Sequence, residues 1–292
     1  MWGSLLGSVV ICVAAAIGCW LQTSVVGWLV NLAALAILML LTLAYARPGL
    51  HLLPRPFPKV YPVCGALGAL SVVRVGSLGW PHVSSTAMGA IVFTGVLVVY
   101  VVAGLREPGT EADEMRLSFP FRSGRWAVTI GGVRAFNHHL HVPGQAGALD
   151  LVALRIDGAR ASGVCPARLE DYLAYDVEVV SPCAGVVADV VDHQPEHPPG
   201  WIRRGSARAN QVVIDAEGSV VTLTHLRPGS IRVVPGERVV PGTPIGRVGN
   251  SGRSAEPHLH LHAERDGRPL RLRFTDLPKA RLRPGRVILS RI

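Results

Sequence analysis

The sequence predicts two kinds of structure in one chain: membrane-crossing α-helices in the first third, then an all-β domain of antiparallel strands. Three observations carry this. Residues 1–105 hold four basic residues (Arg47, Arg55, Lys59, Arg74) and no Asp or Glu, while all twenty acidic residues lie from Glu107 onward. The first third contains uncharged runs of the length a bilayer demands, about 20 residues. From Arg125 the texture changes to short runs rich in Val, Ile and Thr, punctuated by Gly, Pro and Asp, which is the pattern of strands joined by tight turns.

The first two uncharged runs, Trp2–Gln22 and Thr23–Ala46, form a helical hairpin by this reading. Val60–Val73 is apolar but short and ends at Arg74, so it either spans with the arginine snorkelling or is re-entrant. Ala87–Leu105 is a further span, giving three or four crossings. The N-terminus lacks the basic region of a cleaved signal peptide. The segment Arg47–Lys59 carries three of the four basic residues, which places it on the cytoplasmic side. Three crossings then put the rest of the chain outside and four put it inside. The expected division is a transmembrane region at 1–105, a polar linker at 106–124, a β domain at 125–277 and a basic tail at 278–292.

Within the β domain the expected strands are Trp126–Ile130, Val177–Val180, Gly185–Val191, Gln211–Ile214, Val220–Thr224, Ile231–Val234 and Pro244–Val248. Ala167–Tyr175 alone has a helical pattern, and Asp192–Asn210 is a long surface loop, either disordered or the rim of a site. The net charge of +9 divides into +4 before residue 106 and +5 from Arg106 onward, the latter concentrated among the arginines from Arg265 to Arg286. Such a surface suits an anionic partner such as phospholipid or cell-wall polymer. No stacking aromatics accompany it, which argues against nucleic acid. Of five cysteines, Cys12, Cys19 and Cys64 lie in apolar stretches as packing residues. Cys165 and Cys183 can pair only in an oxidising compartment, and spacing alone does not decide it.

The chemistry-bearing stretch is Pro257-His-Leu-His-Leu-His262. In a strand, side chains alternate, so His258, His260 and His262 share one face, read as open, and Leu259 and Leu261 the other, buried one. A metal site that activates water uses three protein ligands and keeps a fourth position free. Asp150, embedded in Ala148-Leu-Asp-Leu-Val152, would be costly to bury without a cation partner. Upstream lie His138, His139 and His141, of which one or two can serve as ligands. His225 ends a β-run and is followed by turns rich in Gly and Pro, up to Gly249-Asn-Ser-Gly252.

Together, His225-Leu226, Gly236, Gly242, Ile245-Gly246, Gly249-Asn-Ser-Gly252 and Pro257-His-Leu-His260 resemble the M23 family of zinc metallopeptidases, the lysostaphin-like peptidoglycan hydrolases. The resemblance covers about residues 125–275 and none of the apolar third. It implies a two-sheet groove of antiparallel strands holding one Zn2+ ion, with His260 and Asp150 as ligands and His258 and His225 at the reacting centre. The usual four-residue step from first His to Asp fails, because position 146 is Ala. A long-loop variant maps the first ligand to His139, beside Asn137 and Gln145, with His141 as alternative. His262 stands where the family often has Glu or Gln.

The resemblance, joined to the apolar helices of the first third, implies a membrane-anchored endopeptidase of a bacterial cell, acting outside the membrane on peptidoglycan stem peptides or cross-bridges. Two other readings stay open: a non-catalytic scaffold or regulator of wall enzymes, and a peptidase for an exported precursor peptide.

Overall fold

A computed structural model of the protein describes residues 2–45, 60–79, 95, 113–131, 137–163, 166–200, 208–277, 282 and 284–291. The chain divides into two compact units, Met1–Arg106 and Glu107–Ile292.

In the first unit, α1 (Trp2–Leu21), α2 (Val25–Tyr45) and α3 (Val60–Leu70) pack together, and a 3-10 stretch, Ser71–Ser77, continues α3. Val9, Cys12, Ala16, Leu35, Tyr61 and Cys64 form one buried cluster. Polar atoms there are paired locally. Trp28 Nε1 donates to Ser71 Oγ at 2.8 Å, and the Arg74 guanidinium donates to the Trp20 carbonyl, at the end of α1 where unpaired carbonyls favour a cation. The outward faces carry apolar side chains such as Val10, Leu21 and Val73. Among the described residues, one helical stretch, Val60–Ser77, is long and apolar enough to cross a membrane, and the apolar stretches Val9–Leu21 and Val25–Met39 are shorter. The expected span Ala87–Leu105 and the basic segment Arg47–Lys59 lie outside the described residues, apart from position 95.

The second unit is mostly β-sheet. Its strands are β1 (Glu114–Leu117), β2 (Ser123–Ile130), β3 (Leu149–Ala153), β4 (Glu178–Val180), β5 (Gly185–Val191), β6 (Gln211–Ala216), β7 (Ser219–Thr224), β8 (Arg238–Val239), β9 (Pro244–Arg247), β10 (Leu259–Arg265), β11 (Arg268–Pro269), β12 (Arg271–Phe274) and β13 (Val287–Arg291). One nine-stranded sheet runs β13-β2-β3-β10-β7-β6-β5-β8, with β11 added to β10; β1-β12 and β4-β9 form two small sheets. The pairs are antiparallel except β1–β12. The architecture is therefore one large sheet with two satellites, where two sheets were expected.

Local sequence explains the hairpins. Ala216 pairs Ser219 across Glu217-Gly218, and Arg265 pairs Arg268 across Asp266-Gly267. Each of these four turn residues has positive φ, between 50° and 82°. That is the two-residue turn whose twist matches antiparallel strands, and Asp-Gly is a preferred sequence for it. In β10, Leu259 and Leu261 are fully buried, as their alternation predicts. The histidine face is not open, however: His260 and His262 are buried too.

Several expectations are corrected. Residues 114–122, assigned to a linker, belong to the fold. β1 pairs with β12, and Phe119 and Phe121 are buried, Phe121 stacking on Trp126 with ring centroids 3.4 Å apart. The basic tail likewise contains β13, which pairs with β2. Ala167–Tyr175 is not a helix beyond the single turn Leu169–Asp171. Its backbone pairs instead with residues 160–162, through Leu173 N to Arg160 O and Ser162 N to Asp171 O. Ile231–Val234 is not a strand. Arg232 N bonds to Ile245 O, while Ile231 N is taken by the Asp192 carboxylate. The strand at Pro244 ends at Arg247; Val248 forms an isolated bridge to Leu226 and exchanges hydrogen bonds with Asp176 and Val177. Cys183 is a buried, unbridged thiol, and Cys165 lies outside the described residues.

Candidate metal centre

The centre of the nine-stranded sheet assembles the site. β10 lies between β3 and β7, and its register places His260 opposite Asp150 on one side and Thr224 on the other. His225 follows Thr224 immediately. Three distant stretches thus deliver Asp150, His225 and His260 to one place by strand pairing alone.

His139 arrives on a 3-10 turn, His138–His141. The turn starts where it does because the Asn137 side chain accepts a hydrogen bond from His139 N at 3.0 Å, a capping arrangement. His139 is buried and its Nε2 lies 3.1 Å from Asp150 Oδ2. His260 Nδ1 lies 2.9 Å from Asp150 Oδ1. The carboxylate is therefore held between two imidazole nitrogens. Burial alone would raise its pKa, but His258, together with the hydrogen bonds from His139 and His260, outweighs burial and keeps it well below the usual carboxylate value. Asp150 is an anion inside the fold.

This donor set fits zinc. Two imidazole nitrogens and a carboxylate are ligands it accepts, and donors about 2.0–2.2 Å from one tetrahedral ion are about 3.4 Å apart, near the two contacts that Asp150 makes with the rings, one at each carboxylate oxygen. His138 is a further neighbour. One donor atom from each of His138, His139 and Asp150 lies within 4.8 Å of the other two, so these three can also hold a metal. His138 was expected on the loop surface. It is exposed, yet its ring packs on His139 at 4.0 Å between centroids, and burial, then His139, lowers its pKa to about 4. His141, the alternative first ligand, is exposed.

His258 and His225 lie beside this group, their ring centroids 4.7 Å apart. His258 Nδ1 lies 2.8 Å from the Glu256 carbonyl and 3.1 Å from Ser254 Oγ, and its Nε2 is 3.7 Å from Asp150 Oδ1. His225 Nδ1 lies 2.8 Å from the Ser251 carbonyl. A carbonyl only accepts, so in both rings Nδ1 carries a proton, and Nε2 is the lone-pair nitrogen whenever the ring is neutral. Burial lowers the His225 pKa well below 6.5, helped by His258 and His260, which keeps the ring neutral. His225 also sits at φ 68°, a left-handed conformation that costs a non-glycine residue about 1–3 kcal/mol and clusters at functional sites.

A buried polar frame holds His225 there, and sequence reasoning did not find most of it. Asn210 Nδ2 donates to the carbonyls of Leu226 and Gln194, and Ser251 Oγ donates to Leu226 O at 2.8 Å. Glu196 accepts from Tyr175 Oη and from Asn250 N. The beginning of the long loop is thus stitched along residues 249–255, with Gly200 N donating to Ala255 O. It is a wall beside the site. Residues 201–207 of that loop lie outside the described residues. His262 is the remaining histidine of the strand: its Nδ1 lies 3.0 Å from His260 Nε2.

Comparison with curated proteins finds no match. Among solved structures, the chain is similar to a zinc-containing peptidase from Vibrio cholerae (23% identity, 42% of this chain and 28% of that one, TM-score 0.26). It is also similar to a peptidase M23 from Pseudomonas aeruginosa described as putative (17%, 66% and 63%, TM-score 0.33). A third is the M23 metalloprotease pseudoalterin from the deep sea (17%, 60% and 95%, TM-score 0.36). The chain spans less than two thirds of the first two. The model of peptidase family M23 matches residues 172–272. That match takes in His225, His258 and His260, while His139 and Asp150 lie before it. Over residues 172–272, this chain carries a domain of peptidase family M23.

Proposed function

We propose that the protein is a zinc metallopeptidase, tethered to a bacterial membrane by its N-terminal helices, that hydrolyses peptide bonds of peptidoglycan. The observation that carries this is the convergence of His139, Asp150 and His260 beside the paired rings of His258 and His225. His139, Asp150 and His260 would hold the ion. When bound, zinc polarises the scissile carbonyl and lowers the pKa of water towards 7.

The chain's own residues do the rest. A neutral ring with its proton on Nδ1 presents an Nε2 lone pair, so one of His258 and His225 accepts the proton of the attacking water and passes it to the leaving amine. The other can donate to the oxygen on which negative charge develops only as an imidazolium, with a second proton on Nε2. Their Nδ1 protons stay on the carbonyls of Glu256 and Ser251, which keeps both rings aimed inward.

Support for the tether is the apolar, outward-facing surface of α1 and the Val60–Ser77 stretch. Support for an anionic polymer as substrate is the run Arg265, Arg268, Arg271 and Arg273, although Arg265 and Arg273 also pair with Asp113 and Glu114. The test is incubation of the detergent-solubilised, zinc-loaded full chain with purified peptidoglycan. New peptide amino termini, absent after chelation, support the reading. An intact polymer with no released fragments counts against the substrate, and failure to cut any peptide counts against the enzyme.

A further inference from the structure

We propose that the buried Arg160–Glu256 ion pair positions His258, by fixing the one carbonyl that selects its tautomer. The proposal rests on the reading of His258 as a proton carrier. Arg160 Nε donates to Glu256 Oε2 at 2.7 Å, with only 3% of the Arg160 side chain and 13% of the Glu256 side chain exposed. The main-chain carbonyl of the same Glu256 accepts from His258 Nδ1 at 2.8 Å. Glu256 therefore has its side chain in one anchor and its carbonyl at the functional ring.

The geometry leaves this peptide little other freedom. Residue 257 is Pro, whose ring fixes its own φ and restricts Glu256 to extended conformations. Ser254, itself buried, donates from Oγ to Glu256 O at 2.8 Å and lies 3.1 Å from His258 Nδ1. The remaining soft motion is a rotation of Glu256 about its own backbone, and a pinned carboxylate opposes it. The anchor is itself fixed. Arg160 O accepts from Leu173 N at 2.9 Å, and the neighbouring Ala161 bridges to Tyr172. Arg160 follows β3, the strand bearing Asp150, so the pair ties the metal-binding side of the site to the loop that aims His258.

A buried ion pair is a poor way to gain stability, because desolvation offsets the attraction, and an apolar pair of the same shape often does as well. What this pair supplies that an apolar pair could not is direction: Nε and a carboxylate oxygen set the rotation of residue 256. Without it, His258 can rotate or exchange its proton to Nε2, which removes the lone pair facing the site.

The test compares full-length, zinc-loaded wild type with Arg160→Gln, Arg160→Lys and Glu256→Gln. The tautomer of His258 is read by nitrogen-15 NMR of the imidazole, assigned against His258→Ala. Zinc per chain, kcat and KM are measured alongside. In wild type His258 is the Nδ1–H tautomer. In Arg160→Gln and Glu256→Gln a substantial Nε2–H population appears and kcat falls about 10–100-fold, the range for residues that orient active groups. KM changes less than about twofold and zinc content not at all, since neither residue touches the ion or the substrate. Arg160→Lys, which restores the charge, recovers part of kcat. Glu256→Gln keeps the carbonyl and an acceptor, so it carries the test if Arg160→Gln does not fold. The proposal is overturned if His258 stays Nδ1–H in both neutral variants, or if kcat falls only in step with lost zinc. If wild type cleaves nothing, the peptidase reading falls, and the tautomer comparison still decides the positioning role.

Discussion

Asp150 and His260 stand directly opposite each other on adjacent antiparallel strands, and their side chains meet at 2.9 Å across 110 residues of sequence. The register is set by apolar neighbours. Leu149 pairs Leu261 and Leu151 pairs Leu259, all four buried. A slip of one residue would turn the carboxylate to the other face of the sheet and bury it among leucines. The same packing that stabilises the sheet therefore builds the donor pair.

Removing the carboxylate tests this directly. Asp150→Ala should weaken zinc affinity by more than about 100-fold, beyond the 10–100-fold typical of residues that only support a ligand. His139→Ala should do the same, whereas His141→Ala, at an exposed position, should leave affinity unchanged. Competition with a chromogenic chelator measures all three.

His258 and His225 should behave differently. Changing either to Ala should lower kcat by about 10²–10⁴-fold, the usual contribution of proton transfer by a placed side chain. Zinc should remain bound. Elemental analysis beside peptide-release kinetics separates the two effects, and loss of zinc in both variants would reassign these rings as ligands.

The fold was legible where hydrophobic alternation was clean. Gly185–Val191 runs as anticipated, and Leu259 and Leu261 are core. Asp150, His258 and His260 stood out as an Asp inside an apolar run and alternating histidines, costly patterns that need a reason, whereas His139 and His225 were named as site residues only through the family resemblance. Less visible was anything depending on partners distant in sequence. Phe119 and Phe121 sit beside a charged segment and looked like linker, yet they pack on Trp126 and Phe274. Ala167–Tyr175 had a helical pattern, but its amides and carbonyls find residues 160–162 instead. Asn210 and Glu196 carried no signal, since a polar residue in a long loop is ordinarily solvated. His138 was hidden by its neighbour, two histidines in a row offering no means to say which turns inward.

The backbone at His225 makes a separate prediction. At φ 68° a residue with a Cβ is strained and glycine is not. Both His225→Gly and His225→Ala lose the imidazole, but the glycine variant should be the more stable by about 1 kcal/mol. Thermal unfolding of the two variants, compared with each other, reads the difference.

Acid should destabilise the metal-free protein. Burial holds the His225 pKa well below its ordinary 6.5 and lowers His262 to about 3. The unfolded chain takes up these protons near pH 6.5 and the folded chain does not. Stability is therefore full above pH 6.5 and is lost progressively as pH falls from there towards about 3. Asp150, held low, adds to the loss below its ordinary value. The thermal midpoint of the chelated protein should fall steadily between pH 7 and pH 4, and a flat profile would mean that these rings are not buried neutral.

Phe121→Ala should cost about 3–5 kcal/mol, as truncation of a buried aromatic does. Were residues 113–122 merely a linker, the change would be neutral. Denaturant unfolding of the full chain distinguishes the two.

The most direct test is X-ray absorption at the zinc edge on the purified full-length protein. The account predicts one tightly held ion per chain in a shell of nitrogen and oxygen at about 2.0–2.2 Å, with two imidazoles, lost in Asp150→Ala and kept in His258→Ala. A protein that purifies without metal and takes none up when offered zinc, or one whose zinc survives Asp150→Ala, would contradict it.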